Sequence, residues 1–322
     1  MKRNFRSTAL AVALLFLLPV SAGAAELLIP VGTVIGLQLQ DDTVTVAAFD
    51  DAAGFAARDA GLKIGDEIIM IDNQQIDCTD DVRSALQSCG DSLEMTVCRN
   101  GKFSTLRLTP GKSENGPRLG VYLRQGIAGI GTVTFYDPET GRFGTLGHGV
   151  SNSKGRLLAM KQGFAYEAHI GSVIKGKCGE PGQLKGSADT LRILGTIEKN
   201  TPQGVFGTAS RGWPGDAIPA AAFSEVETGA AAIRSTILGD APREYSVEIL
   251  KIYPRTRSDG RNFLIRVTDP QLLSATGGIV QGMSGSPILQ NGKLIGAVTH
   301  VLVNDPTTGY GIFIENMLDA AA

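Results

Sequence analysis

Histidine is scarce in this sequence: only His148, His169 and His300 occur among 322 residues. The cysteines are as few, Cys78, Cys89, Cys98 and Cys178, with no C-x-x-C pair. Such numbers and spacings exclude a zinc cluster of the usual kind, and neither a metal nor another cofactor is expected. Charge of one sign is also lacking. The 30 basic and 32 acidic side chains leave a net charge of −2, so no basic field gathers nucleic acid. Beyond the amino terminus there is no long hydrophobic run, which excludes a multi-span membrane protein. What abounds is glycine, 41 residues against a usual share of about 7%, without the G-x-y period of collagen. With 43% hydrophobic and 19% charged residues the chain is a folded, turn-rich, β-rich one. At about 100–200 residues per domain it holds two or three domains.

Lys2, Arg3 and Arg6 precede an apolar run from Ala9 to Val20, followed by Ser21-Ala22-Gly23-Ala24-Ala25. A charged start, a short apolar stretch and a small-residue exit form an export signal over residues 1–25. Cleavage is expected after Ala24. An uncleaved anchor stays open, because Leu27, Leu28 and Ile29 extend the apolar character. In either case the remainder lies outside the cytoplasm. Disulfides are permitted there; the other reading of the four cysteines is small buried side chains.

Residues 33–110 read as a small α+β module. Thr43-Val44-Thr45-Val46 alternates like a strand, and Gly65-Asp66 and Asp72-Asn73 bracket a second one. Thr79 is placed to cap a helix with Val82, Ala85 and Leu86 on one face. Asn100-Gly101 marks a type I′ hairpin. The run GLKIGDEIIMIDNQQI before a short helix resembles a bacterial PDZ domain. That resemblance implies a peptide bound as an added strand, with its carboxylate held by backbone amides. Gly36 and Leu37, in Ile35-Gly36-Leu37-Gln38, are the residues matched to that loop. Packing on a neighbour without binding a free peptide is the alternative. The polar stretch Lys112 to Pro117 marks the module's end.

Residues 118–322 hold short alternating apolar runs separated by Asp137-Pro138, Asp259-Gly260, Asn291-Gly292 and Asp305-Pro306. Strands and turns at this spacing predict a sandwich or barrel. Within them stands Gln281-Gly282-Met283-Ser284-Gly285-Ser286-Pro287. Glycines around Ser284 allow a tight turn that exposes its hydroxyl. The same turn points the N–H groups of Gly282 and Ser284 one way, as an oxyanion requires. Strand, Asn-Gly hairpin and strand follow, a layout similar to the nucleophile region of chymotrypsin-fold serine proteases. Ser286, before Pro287, is expected to serve packing or hydrogen bonding.

A nucleophilic serine needs a base. His148, in Gly147-His148-Gly149, is the first choice, exposed at a strand end and upstream of the serine. His169 alternates like a strand-surface residue. His300 follows the strand after Ser284 and reads as a pocket wall or an alternative base. Position 278, six before the serine, is glycine and gives no charge preference to a specificity pocket.

TLGHGVSN together with IVQGMSGSPILQNGKLIGAVTHV and DPTTGYGIFIE resembles the SpoIVB peptidase family, in which a PDZ domain joins a chymotrypsin-like double β-barrel. The resemblance implies a mainly β protein: a signal peptide or anchor over 1–25, a PDZ-like domain over 33–110 and a serine peptidase domain over 118–322. It matches His148 and Ser284 to the catalytic pair and Asp269 to an aspartate of the site. Capping of a helix from Pro270 is the other reading of Asp269. The expected function is an exported serine endopeptidase of sporulation signalling that cuts a membrane-associated regulator, and itself, between mother cell and forespore. Its expected partners are that protein substrate and a peptide, or its own terminus, on the PDZ-like module, with a membrane tether through the amino-terminal segment. A catalytically silent scaffold with a protease-like fold is the alternative.

Overall fold

In the second half of the chain burial alternates with a period of two. Tyr245, Val247 and Ile249 are buried, while Ser246 and Glu248 between them are exposed. Such a period gives a strand one apolar face, and that face must be covered by other strands or helices. In the computed structural model the cover is a barrel. The structure describes residues 26–322 other than 115, 153, 154, 238, 240 and 258. The export signal over 1–25 lies outside the described residues.

The chain opens with β1 (Leu27–Pro30) and a long β2 (Val34–Phe49). Next come α1 (Phe55–Asp59), β3 (Glu67–Ile71), β4 (Gln74–Gln75) and α2 (Thr79–Ser88). The hairpin β5 (Leu93–Arg99) and β6 (Lys102–Leu108) follows, then β7 (Gly111–Ser113) and β8 (Gly116–Arg118). A second long strand, β9 (Val121–Tyr136), leads to β10 (Arg142–Thr145), β11 (Gln162–Ile174), β12 (Gln183–Thr201) and β13 (Gly204–Ala209). After β14 (Ile218–Pro219) come β15 (Gly229–Ser235), β16 (Arg243–Ile252), β17 (Phe263–Val267) and α3 (Pro270–Thr276). The chain closes with β18 (Pro287–Gln290), β19 (Lys293–Leu302), β20 (Asp305–Phe313) and α4 (Ile314–Ala321).

Two barrels result. In the first, antiparallel pairings run β2–β9–β10–β13–β12–β11 and return to β2, closing a ring of strands. The second is the closed barrel β15–β16–β17–β20–β19–β18, filled by Phe263, Ile265, Ile288 and Phe313.

The PDZ-like module is nested in the first barrel. Val34 to Leu39 pair with Thr132 to Ile127 inside the barrel; Val44 to Phe49 pair with Gln125 to Val121 beyond it. The same two strands thus serve both units, and residues 50–120 fill the space between their outer ends. The module's core joins Val44, Val46, Ile68, Val82, Leu86 and Val97 to Leu119, with Val121 and Leu123 packed against it. Residues expected in the following domain therefore close this one, because the polar stretch at 112–117 only forms the small β7–β8 hairpin. The Asn100-Gly101 turn has both residues at positive φ, 51° and 77°, as a type I′ turn needs. The cap of α2 is Cys78, one residue before the expected Thr79; Asp81 reaches back to accept the Cys78 amide at 2.9 Å. All four cysteines are free, Cys178 exposed and the others half-buried, so the expectation of four buried side chains fails.

The passage from barrel to module turns on Gly126. Its φ is +72°, and a Cβ there would stand 1.9 Å from the Leu39 carbonyl oxygen. The register of β2 against β9 shifts at the same place, a bulge that re-aims both strands. Gly126→Ala is expected to destabilise the protein by more than about 1 kcal/mol. Urea unfolding of the two proteins checks this, the variant having the lower midpoint.

Candidate active site

The nucleophile motif forms the turn that leads into β18. Gly282 has φ +99° and Gly285 φ +93°, values that a Cβ makes costly. Gly285 has a second reason to be glycine: its Cβ would lie 2.0 Å from the Thr132 carbonyl oxygen. Met283 is fully buried in the second barrel's core and anchors the turn. Ser286 is buried too, its hydroxyl 3.0 Å from that of Ser235, which is the structural part expected of it. Ser284 is half-buried and donates its hydroxyl proton to the Thr299 carbonyl at 2.8 Å.

Two threonines of β9 hold the turn from the other barrel. The Thr132 amide donates to the Ser284 carbonyl at 2.9 Å. Its hydroxyl donates to the Gly282 carbonyl at 2.8 Å, and the Thr134 hydroxyl to the Gly285 carbonyl at 2.7 Å. With these carbonyls turned toward β9, the amides of Gln281, Met283, Gly285 and Ser286 are bonded within the protein. Among the described residues those of Gly282 and Ser284 donate to no carbonyl. Two unengaged N–H groups on one turn are what a developing oxyanion needs. The sequence carries only a weak signal for Thr132 and Thr134: alternate positions on one face of a strand.

His148 leaves the end of β10 through two left-handed residues, Leu146 at φ +69° and Gly147 at φ +67°. A leucine in that region stores strain of about 1–3 kcal/mol, as functional sites often do. A Cβ on Gly147 would meet the Thr299 side chain at 2.9 Å. His148 therefore does not stand exposed at a strand end, as expected, but half-buried between the barrels. Burial holds its imidazole below the usual histidine range, and a hydrogen bond to the Gly149 carbonyl acts the other way. That bond runs from Nδ1, at 3.0 Å. A carbonyl only accepts, so Nδ1 carries the proton and the lone pair is on Nε2. His148, Ser284 and Gly282 line one cavity of about 330 Å³ whose remaining wall is largely apolar, including Leu37, Leu39 and Ile130.

Asp269 is not brought to this site. It is the N-cap of α3, its Oδ1 accepting the amides of Gln271 and Leu272, each at 2.9 Å. Asp-Pro at a helix start has here its ordinary use. Asp259 is held by Arg257 at 2.7 Å and 2.9 Å. Among the described residues no carboxylate hydrogen-bonds the His148 ring. What stands beside it is His300, on β19, with ring centroids 5.3 Å apart. His169 is exposed on β11, opposite Ser187.

Gly36 and Leu37 are not a peptide-binding loop. Gly36 lies within β2, opposite Tyr166 on one side and Ile130 on the other. A strand with both edges paired cannot accept another. Leu37 instead lines the cavity of Ser284 and His148. The groove suited to a peptide lies at the outer end of β9, where Val121 to Leu123 pair only with β2 among the described residues. There α2 faces the strand across a cavity of about 420 Å³, lined by Val82, Leu86, Leu119, Gly120 and Val121. Gly120 has φ +67° and no room for a Cβ, which would lie 2.1 Å from the Ala53 carbonyl oxygen. Arg118-Leu119-Gly120-Val121, a glycine between apolar residues just ahead of a strand, was the signal for it.

Asp269→Asn keeps a capping oxygen and is expected to leave kcat/KM nearly unchanged. The same change costs about 10⁴-fold where an aspartate backs the catalytic histidine, so steady-state kinetics separates the two roles. Thr132→Val is expected to lower kcat by about five- to tenfold with KM little altered, since one hydrogen bond contributes about 1 kcal/mol or somewhat more. The same kinetics checks it.

Residues 115–318 match the family model of SpoIVB peptidase S55, and residues 33–109 that of the PDZ domain. Among solved structures, similarity is found to the Rv3671c protease of M. tuberculosis. Its inactive form is 15% identical with a TM-score of 0.34, over 60% of this chain and 82% of that one. Its active form is 16% identical with a TM-score of 0.35, over 61% and 75%. No curated protein matches the chain. The peptidase model covers more than half of the sequence, including both the histidine turn and the serine turn. The chain thus belongs to the SpoIVB peptidase S55 family and is a serine endopeptidase that carries a PDZ domain.

Proposed function

We propose that Ser284 is the nucleophile and His148 its general base, with the amides of Gly282 and Ser284 as oxyanion donors. The observation that carries this reading is the single cavity that His148, Ser284 and Gly282 share. In the resting arrangement the serine hydroxyl points to the Thr299 carbonyl; the reaction requires it to turn toward the base. His148 Nε2 then takes the Oγ proton as Oγ bonds to the scissile carbonyl carbon. The carbonyl electron pair moves to oxygen and is met by the two amides. Collapse expels the amine, which receives the proton from His148. A water molecule repeats the sequence on the acyl-enzyme.

The substrate proposed is a membrane-associated regulatory protein of sporulation, cut in the space between mother cell and forespore, together with the enzyme's own amino-terminal segment. Support comes from the family to which the chain belongs and from the export-type residues at its start. The apolar wall of the cavity suits apolar side chains beside the cut. The groove between α2 and the outer end of β9 takes an extended peptide, its carboxylate near the Leu119-Gly120 turn. Holding a weakly bound chain there raises its concentration at Ser284.

Self-trimming tests the reading. Purified wild-type protein is expected to shorten at its amino terminus on a gel, and Ser284→Ala to remain intact. A silent scaffold leaves both proteins alike. The pH dependence of kcat/KM gives a second check. The base works unprotonated, and burial lowers the His148 pKa from its ordinary 6.5. The rate is therefore expected to rise with pH about a midpoint below 6.5 and then to level off.

A further inference from the structure

We infer that His300 is a positioning residue for His148, its imidazole packed beside the His148 ring. The inference rests on the Ser284–His148 reading and deepens it. Three observations carry it. The two rings lie with centroids 5.3 Å apart and planes inclined by 39°. The Nδ1 of His300 is shielded from solvent and has no hydrogen-bond partner among the described residues. A buried polar atom left so is a cost that an apolar ring of the same size would avoid. Finally, the residue before it in β19 is Thr299, whose carbonyl receives the Ser284 hydroxyl. One strand thus touches both the nucleophile and the base.

The groups around His300 suit it to act as a neutral acceptor. His148 faces it from the turn after β10, and Arg261 and Asp259 from the loop before β17. Arg261 lies over the Tyr310 ring and its Nε is likewise buried without a partner; Asp259 is taken up by Arg257. Burial first, then His148 and Arg261, push the His300 imidazole down to about 4, against the opposing influence of Asp259. At neutral pH it therefore holds a lone pair and no charge. When His148 accepts the serine proton at Nε2, its Nδ1–H stays on the Gly149 carbonyl, and the neutral His300 ring beside it offers its lone pair to the new positive charge. The ring is kept in place, and the new positive charge meets a dipole in place of an anion. His300 neither gains nor loses a proton; the proton taken from Ser284 goes on to the leaving amine.

Full-length wild type, His300→Phe, His300→Gln and His300→Met test this with p-nitrophenyl acetate as substrate across pH 5 to 9. His300→Phe keeps a ring and loses the acceptor. It is expected to lower kcat by about 10- to 100-fold, the worth of one polar contact to a charged group, with KM unchanged. The midpoint of its pH profile is expected to fall, because the His148 imidazolium has lost support. Gln and Met are alike in length and differ in the acceptor. His300→Gln is expected to exceed His300→Met in kcat by about tenfold, which decides the matter even if the phenylalanine variant does not fold. Equal kcat for Gln and Met, or a phenylalanine variant with the wild-type kcat and midpoint, overturns the proposal. Ser284→Ala and His148→Ala run beside them. If both are inactive while the His300 variants match wild type, the catalytic pair stands and only the role of His300 is wrong. If either turns over the ester as wild type does, the reading beneath it fails as well.

Discussion

The active site depends on a clamp between two barrels. Thr132 and Thr134 belong to the first barrel, and the turn they grip opens a strand of the second. Three hydrogen bonds, to the carbonyls of Gly282, Ser284 and Gly285, set the direction of the peptide units that form the nucleophile turn. Gly285 lets the barrels approach until only hydrogen fits between them. Because His148 comes from the first barrel and Ser284 from the second, their meeting is a consequence of this contact. A residue at the seam can therefore alter catalysis without touching a substrate.

The nesting of the PDZ-like module gives β9 a continuous role. Its outer end borders the peptide groove at Val121, its middle lines the catalytic cavity at Ile130, and Thr132 grips the serine turn. β2 runs beside it from Val46 in the module core to Leu37 in the cavity wall. The same two strands, with a bulge at Gly126 and a second register shift between Val46 and Ala48, thus connect the groove beside α2 and the cavity of Ser284 and His148. Such an arrangement ties the groove and the cavity to one rigid element, in contrast to two domains on a flexible linker.

Much of this could be read from the residues, for physical reasons. The tight turn around Ser284 was legible because glycines at 282 and 285 mark positive φ. The double set of short alternating strands was legible from turns at regular spacing. Asp269 misled because a short Asp-Pro segment serves a helix cap and a catalytic site equally well in sequence, and only the path of the chain separates them. Gly36 misled in a similar way: its reason to be glycine is the Ala188 side chain, 2.3 Å from where a Cβ would be, a contact between distant strands. The threonine clamp and the His148–His300 contact were illegible because they depend on strand register across the seam. A threonine at alternate strand positions or a histidine on a strand carries no local mark of such a partner.

In the proposed chemistry one imidazole activates one hydroxyl over a pair of main-chain donors. Treating the full-length protein with a fluorophosphonate and locating the adduct by mass spectrometry tests it most directly. One adduct is expected, on Ser284 and not on the buried Ser286, formed at a rate that collapses in His148→Ala. An adduct on Ser286, or equally fast labelling without His148, would contradict it.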